Sequence, residues 1–369
     1  MRLAPFAALL AAAAATVSPP PPIHVAFASD LEVLPGLVVA LASLANATAS
    51  IGRVRVHVVS VPADAALVRD VVACALPTLA VEVHAFEAPL ALPRRTRPGD
   101  ERLLAPLNYA RFFLGDVLKN VRGKVLYLDT DTIVHGDVAE LVDEALADFS
   151  APAVAAVPRG AGRKLRLAPS VTTDPAARAA LSARGVGVNT AQRRRPQTFI
   201  DDFNAGVVVV DLAEWDARNL TAATLEWMAL NLAHGLYTKG SNPPLVLAVA
   251  GDFERLDARW NCPAAPRALP LRDACVARPG IVHLTGRDKP WLGDGTLDAR
   301  WAAQVPERLE ACLLDAGLDS AADAARRRAM RVRAAHRQRA RFPVSDRNLY
   351  WAPWTAAGRA SRRPRRRGA

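Results

Sequence analysis

Lys124-Val125-Leu126-Tyr127-Leu128 runs directly into Asp129-Thr130-Asp131. The run is apolar after its leading lysine, as a strand buried on both faces of a sheet is. Two carboxylates then follow at i and i+2. In an extended segment, residues two apart project to the same side, so both can meet one hard cation. Open α/β sheets place their ligands at the carboxyl ends of strands, where such a cation would bridge the phosphates of a nucleotide. The competing reading is a strand ending in a solvated turn, since Asp and Thr are common in turns and Asp-x-Asp is frequent by chance.

Outward from this stretch, strand-like and helix-like segments alternate. Residues 23–28, 54–59, 79–85, 125–128, 153–157, 207–210 and 281–284 read as strands. Residues 34–47, 63–75, 107–117, 138–146, 220–235, 243–250 and 302–316 read as helices. Alternation of this kind gives βαβ units and a mostly parallel sheet. The expected fold class is α/β, one domain with a Rossmann-like central sheet and flanking helices. Residues 89–100 read as a basic, proline-containing loop. Residues 159–197 show no clear period and carry Arg193-Arg194-Arg195. A loop of that length is functional or disordered, and its position makes it a candidate acceptor or lid region. No internal repeat is evident.

With 369 residues, 51% of them hydrophobic, the chain can bury a large core. The net charge of +11 suggests nucleic acid as a partner, but its distribution argues otherwise. Residues 326–369 hold 15 arginines and one acid, Asp346, which leaves 32 basic and 35 acidic residues elsewhere, about −3. The basicity is a C-terminal appendage, expected to be disordered in part. Its Tyr350, Trp351 and Trp354 amid arginine would allow weak contact with a membrane or an acidic polysaccharide.

At the other end, Met1-Arg2 precedes an apolar run over residues 3–17, then Ser18 and four prolines. This pattern is that of a signal peptide. The run is short for a spanning helix of about 20 residues. A signal anchor is the alternative, because cleavage beside proline is unfavourable. The expected organisation is a leader over 1–22, a catalytic domain over 23–318 and the Arg-rich tail over 319–369. Two sequons, Asn46-Ala47-Thr48 and Asn219-Leu220-Thr221, agree with a lumenal route and make nucleic acid a poor partner. Four cysteines in a secretory chain permit disulfides. Cys262 and Cys275, separated by a short irregular loop, are the preferred pair. Cys74, in a helical pattern, reads as a buried free thiol.

Four further segments accompany the aspartates: Phe27-Ala28-Ser29-Asp30, Asn108-Tyr109-Ala110-Arg111-Phe112, Phe203-Asn204-Ala205-Gly206, and His283-Leu284-Thr285-Gly286-Arg287-Asp288-Lys289-Pro290-Trp291. Taken in this order, with Asp129-Thr130-Asp131 third, they resemble glycosyltransferase family 8, the retaining nucleotide-sugar enzymes of the GT-A fold. The resemblance covers roughly residues 23–318. Residues 240–261, ending in Arg259-Trp260-Asn261, are most similar to the plant and algal branch that includes galacturonosyltransferase-like proteins.

The resemblance implies a GT-A-type single domain and a set of roles. Ala28 and Asp30 would hold the uracil base, and Arg111 would stand near the donor. Asp129, Asp131 and His283 would ligate one divalent ion together with two diphosphate oxygens, a mixed N/O shell that suits Mn²⁺ or Mg²⁺. Lys289 would neutralise the leaving diphosphate, while Gly286 allows the backbone close to phosphate. Asn204 would reach the donor sugar's hydroxyls, with Gly206 keeping the strand entrance open, and Trp291 is a packing anchor. The family's acid–amide pair near the reacting carbon falls on Ser241-Asn242, so the amide is kept one methylene short of the branch's Gln and the acid is absent. Asp201 and Asp202 stand nearby as substitutes for it. The implied activity is retaining transfer of a hexosyl, pentosyl or uronosyl group from a UDP-sugar to a glycan or glycoprotein hydroxyl. The implied place is the secretory pathway, in the Golgi lumen. Two alternatives remain open on the sequence: an inactive nucleotide-sugar or acidic-glycan binding protein, and a sugar nucleotidyltransferase.

Overall fold

Apolar runs that can be covered on both faces set the order of elements. The computed structural model describes residues 20–87, 101–144, 152–160, 162–238, 240–264, 269–286, 289–292 and 299–319. The apolar leader up to Pro19, the loop expected over 89–100, Arg287 and Asp288, and the tail from Ser320 lie outside the described residues.

β1 (Ile23–Ala28), α1 (Leu34–Ala47), β2 (Val54–Ser60), α2 (Ala65–Ala75) and β3 (Val81–Ala85) make two successive βαβ units. A 3-10 helix (Pro106–Phe113) and α3 (Leu114–Val117) lead into β4 (Lys124–Leu128), β5 (Thr132–Val134) and β6 (Val154–Pro158). Then come β7 (Lys164–Arg166), α4 (Pro175–Ser182), β8 (Val188–Asn189) and β9 (Gln197–Asp201). β10 (Phe203–Asp211) precedes α5 (Leu212–Ala217), α6 (Leu220–His234), α7 (Asn242–Val249) and β11 (Glu254–Arg255). The described chain closes with β12 (Cys262–Pro263), α8 (Leu269–Ala277), β13 (Ile281–His283), α9 (Ala299–Ala303) and α10 (Leu309–Asp315).

The central sheet has the order β11-β6-β10-β4-β1-β2-β3. Its strands pair in parallel except for β10, which runs antiparallel to both β4 and β6. Two small sheets, β12-β13-β5 and β7-β9-β8, flank it. Val25, Phe27, Leu126, Leu128, Val207 and Val209 pack on α1 and α2. Ala26, Val125, Tyr127, Val208 and Val210 face the other way, onto the 3-10 helix, α6 and α7. Each such buried Val or Leu contributes about 1.5–3 kcal/mol, which is why the middle of the sheet is apolar on both faces. α1 is buried from Leu34 to Leu44, with Pro35 in its first turn, where the missing N–H costs nothing.

Several expectations change. Residues 159–197 are not a structureless loop but hold β7, α4, β8 and the start of β9. Asp174 caps α4 by accepting from Ala176 N–H and Ala177 N–H, with Pro175 at the first helical position. The 107–117 helix is mostly 3-10, and the turn after Val138 is of π type over Glu140–Glu144. The 302–316 helix is two pieces parted at Pro306. Both sequon asparagines, Asn46 and Asn219, are exposed. No helix among the described residues is long and apolar enough to cross a membrane.

Cys262 and Cys275 form a disulfide, as the spacing suggests. Cys74 is not a free thiol; it bonds Cys312, 238 residues away, with Cα atoms 5.8 Å apart. The partner lies on α10, which packs against α2, a neighbour that local sequence pattern does not reveal. Replacing both residues (Cys74→Ala with Cys312→Ala) is expected to lower unfolding free energy by about 2–5 kcal/mol, measured by denaturant titration without reductant. Peptide mapping of the native chain should recover the 74–312 cross-link, and equal stability of the two proteins would show that it is not formed.

Candidate functional site

The backbone assembles the site before any side chain is considered. Beyond the last residue of β4, Asp129 N–H donates to Gly206 O at 2.8 Å, prolonging the antiparallel contact with β10. Thr132 N–H and Thr132 Oγ1 both donate to Asp129 O, at 3.2 and 2.8 Å, closing a tight turn. The two carboxylates are therefore gathered by a turn and not by the extended alternation that their spacing suggests. β5 then pairs antiparallel with β13 so that His283 lies opposite Thr132, and Leu284 N–H donates to Asp131 O at 2.8 Å.

Three donor groups converge as a result. His283 Nε2 lies 3.1 Å from Asp131 Oδ1 and 3.8 Å from Asp129 Oδ2. The ligand atoms of all three residues sit within 4.8 Å of one another. Adjacent ligands of an octahedral ion with bonds of about 2.1 Å stand about 3 Å apart, so the trio fits one small divalent cation. The chemistry of the set, two carboxylates and one imidazole, fits as well.

Asn261 fixes the imidazole. Its Nδ2 donates to Asn204 O at 3.1 Å, which turns its Oδ1 toward His283 Nδ1 at 3.0 Å. An amide oxygen only accepts, so Nδ1 carries a proton and Nε2 faces the carboxylates; a protonated Nε2 donates to Asp131 Oδ1, and on losing that proton it would offer its lone pair to an ion. Gly206 makes the approach feasible. A Cβ at that position would overlap His283 Cε1 and stand 2.6 Å from Asp129 Oδ2.

Two cations balance the carboxylates. Arg111 is buried; its Nη2 donates to Asp129 Oδ1 at 2.8 Å, its Nη1 to Ala205 O, and its guanidinium lies 4.5 Å from the Tyr127 ring centroid. Burial alone would lower its pKa, but Asp129 outweighs that and raises it. Lys289 Nζ bonds Asp131 Oδ2 and, at 3.0 Å, Leu284 O. Burial alone would raise the Asp131 carboxyl. His283 and Lys289 outweigh it and hold the group well below the usual carboxylate range. Arg111 orients Asp129 from inside the core.

The other expected residues spread around this centre. Ala28 ends the neighbouring strand β1 and Asp30 follows two residues on; Asp30 Oδ1 accepts from Glu32 N–H and Val33 N–H at 3.0 and 3.1 Å, turning the chain into α1. Asn204 Oδ1 accepts from Gly206 N–H at 2.9 Å. Asn242 is engaged at both ends: Oδ1 accepts from Ala205 N–H at 2.8 Å, and Nδ2 donates to Phe203 O at 3.0 Å and Asp202 Oδ1 at 3.3 Å. Asp202 is buried, which pushes its carboxyl up, with Arg159 Nε at 3.4 Å. Asp201 points elsewhere, to Lys164 at 2.6 Å and to Arg255, so only Asp202 adjoins the amide. Gly286 is exposed with φ +122°, a conformation that suits glycine. Trp291 is buried against Gly36 of α1, a packing anchor. Asn261 was not among the expected site residues; it lies 22 positions before His283, and no local spacing links the two.

Residues 24–295 match the profile described as Glycosyl transferase family 8. Probable galacturonosyltransferase-like 3 of Arabidopsis thaliana is 29% identical over 291 residues, covering 76% of this chain and 79% of that protein. Probable galacturonosyltransferase-like 2 of the same plant is 29% identical over 290 residues, 76% and 80% of the respective chains. Among solved structures, galactosyltransferase LgtC in complex with donor and acceptor sugar analogues shares the fold, with TM-score 0.52 and 21% identity over 80% of this chain and 95% of that one.

Gly206→Ala is expected to abolish binding of a divalent cation at the trio, because the added methyl displaces His283 or Asp129. Asn261→Ala should weaken that binding by about 10–100-fold, since the ring tautomer is no longer held. Titration with Mn²⁺, following the free ion by its paramagnetic resonance, reads both. Unchanged affinity in either variant would refute the geometry assigned to it.

Proposed function

Because the chain belongs to glycosyltransferase family 8 and is a glycosyltransferase, we propose that it transfers a hexosyl, pentosyl or uronosyl group from a UDP-sugar to a glycan or glycoprotein hydroxyl, with retention, in the Golgi lumen. The observation that carries this reading is the meeting of Asp129, Asp131 and His283 with Lys289 at the end of β4. Exposed sequon asparagines, two disulfides and the apolar leader support the lumenal route.

Each residue has a part. Ala28 and Asp30 lie at the end of β1, beside β4, where a base can rest on the backbone. Asp129, Asp131 and His283 would hold Mn²⁺ or Mg²⁺, which when bound supplies positive charge to the diphosphate. Arg111 keeps Asp129 aimed. Lys289, 17% exposed at its side chain, is placed to shift from Asp131 to a diphosphate oxygen as the sugar–oxygen bond breaks and charge builds there. Gly286 gives the backbone room beside phosphate. Asn204, at the start of β10, is the candidate for the donor sugar's hydroxyls. Asn242 acts by shaping the backbone at Phe203 and Ala205 around them.

One observation favours a second reading, a donor-binding protein without turnover. Ser241 stands where the family acid is expected, and the Asn242 amide is consumed by backbone and Asp202. A screen of UDP-sugar hydrolysis and transfer by the purified chain separates the two. The likeness to galacturonosyltransferase-like proteins puts UDP-galacturonic acid first in the panel. Turnover should occur with Mn²⁺, stop with chelator and return on adding the metal. Asp131→Ala and Lys289→Ala should each lose about 100-fold or more in kcat. Binding of UDP with no turnover of any donor supports the second reading, and activity of Asp131→Ala equal to the parent overturns both.

A further inference from the structure

On β1 and the two strands beyond it, away from the strands that carry the aspartate cluster, three histidines line one face of the parallel edge of the sheet. His24 stands on β1, His57 on β2 and His84 on β3, with Glu82 two residues before His84. Alternation along the strands sends Val56, Val58, Val81 and Val83 toward α1 and α2, so His57, Glu82 and His84 share the opposite face. In the register of β2 and β3, His57 is paired with Glu82, and Val59 with His84. This places two side chains of one strand, at i and i+2, around one side chain of its neighbour.

The donor atoms form a nearly regular triangle. His57 Nδ1 is 3.1 Å from His84 Nε2 and 3.6 Å from Glu82 Oε2, and His84 Nε2 is 3.8 Å from Glu82 Oε2. A tetrahedral ion with bonds of about 2.0–2.1 Å sets its ligand atoms about 3.3–3.4 Å apart, the middle of that range. The carboxylate is too far from either ring for a normal hydrogen bond, yet within 0.2 Å of the same distance from both. Behind His57, its other nitrogen Nε2 lies 2.9 Å from His24 Nδ1, and the two rings stack at 5.2 Å. A proton on His57 Nε2, donated to His24, leaves Nδ1 bare toward the other two ligands, the arrangement by which an outer partner fixes a metal-binding imidazole.

We propose that His57 Nδ1, His84 Nε2 and Glu82 form a second cation site, distinct from the aspartate cluster, that takes Zn²⁺ with water in the fourth position and ties the edge strand β3 to β2. Two imidazoles and one carboxylate in four-fold geometry select zinc, whereas the aspartate cluster, richer in oxygen, suits a harder six-coordinate ion. His57 is buried while Glu82 is exposed, so the ion enters from the solvent side. The edge strand gains a cross-link where it has only one neighbour.

Metal-free full-length chain titrated with Zn²⁺, and separately with Co²⁺, tests the site. His57 is a core residue whose loss would disturb folding, so the more accessible His84→Ala and Glu82→Gln are the variants to use. The parent and Asp131→Asn should both develop the intense visible absorption of tetrahedral cobalt. His84→Ala should lose it and bind zinc at least about 10-fold more weakly, while keeping Mn²⁺-supported donor turnover. One equivalent of zinc should raise the melting temperature of the parent more than that of His84→Ala. Absence of the tetrahedral spectrum in the parent, its survival in both edge variants, or its loss in Asp131→Asn alone would each overturn the assignment.

Discussion

The end of β4, the start of β10 and the end of β13 approach so closely that one methyl group at position 206 would collide with His283 and Asp129 together. Much else follows from that crowding. The register of β10 against β6 shifts between Phe203 and Val208, so these residues cannot all be served by a neighbouring strand. Side chains take over: Asn242 answers Ala205 N–H and Phe203 O, Asn261 answers Asn204 O, Arg111 answers Ala205 O, and Asn204 answers Gly206 N–H. Backbone groups in a buried irregular segment have to be satisfied. Here the residues that satisfy them also aim the functional groups.

The same crowding sets the electrostatics. One carboxylate, Asp131, is buried and the other, Asp129, half-buried, and two cations, Arg111 and Lys289, balance them one for one. Removing Asp129 would strand the buried Arg111, and removing Lys289 the buried Asp131, which costs far more than the pair's own net contribution to stability. The two cations differ in kind. Arg111 is clamped between Asp129, Ala205 and the Tyr127 face, whereas Lys289 rests on Asp131 by a flexible stem. One is part of the frame and the other can exchange partners.

The sequence made the sheet legible because its central strands are continuous apolar runs. Val125 to Leu128 and Val207 to Val210 could be read without knowing their neighbours. The aspartates were legible as a pair for a reason that proved incomplete, since a turn closed by Thr132 gathers them. Residues 159–197 lacked a period because β7, β8 and β9 are short and α4 spans only eight residues, yet Asp174-Pro175 was a helix start in plain view. Contacts remote in the chain stayed hidden. Nothing around Cys74 points to Cys312, and nothing around Asn261 points to His283. The role of Asn242 was obscured in the same way, because its partners lie on another strand.

The bond between Cys74 and Cys312 makes most of the catalytic chain a closed covalent loop of 238 residues' separation. Arg111, Asp129, Asp131, Asn204, Asn242, Asn261, His283 and Lys289 all lie inside that loop, while Ala28 and Asp30 lie outside it. A protease cutting any exposed turn within the loop would open a ring without releasing a fragment. The nicked protein would keep both ends of its site tethered until a reductant reached the bond.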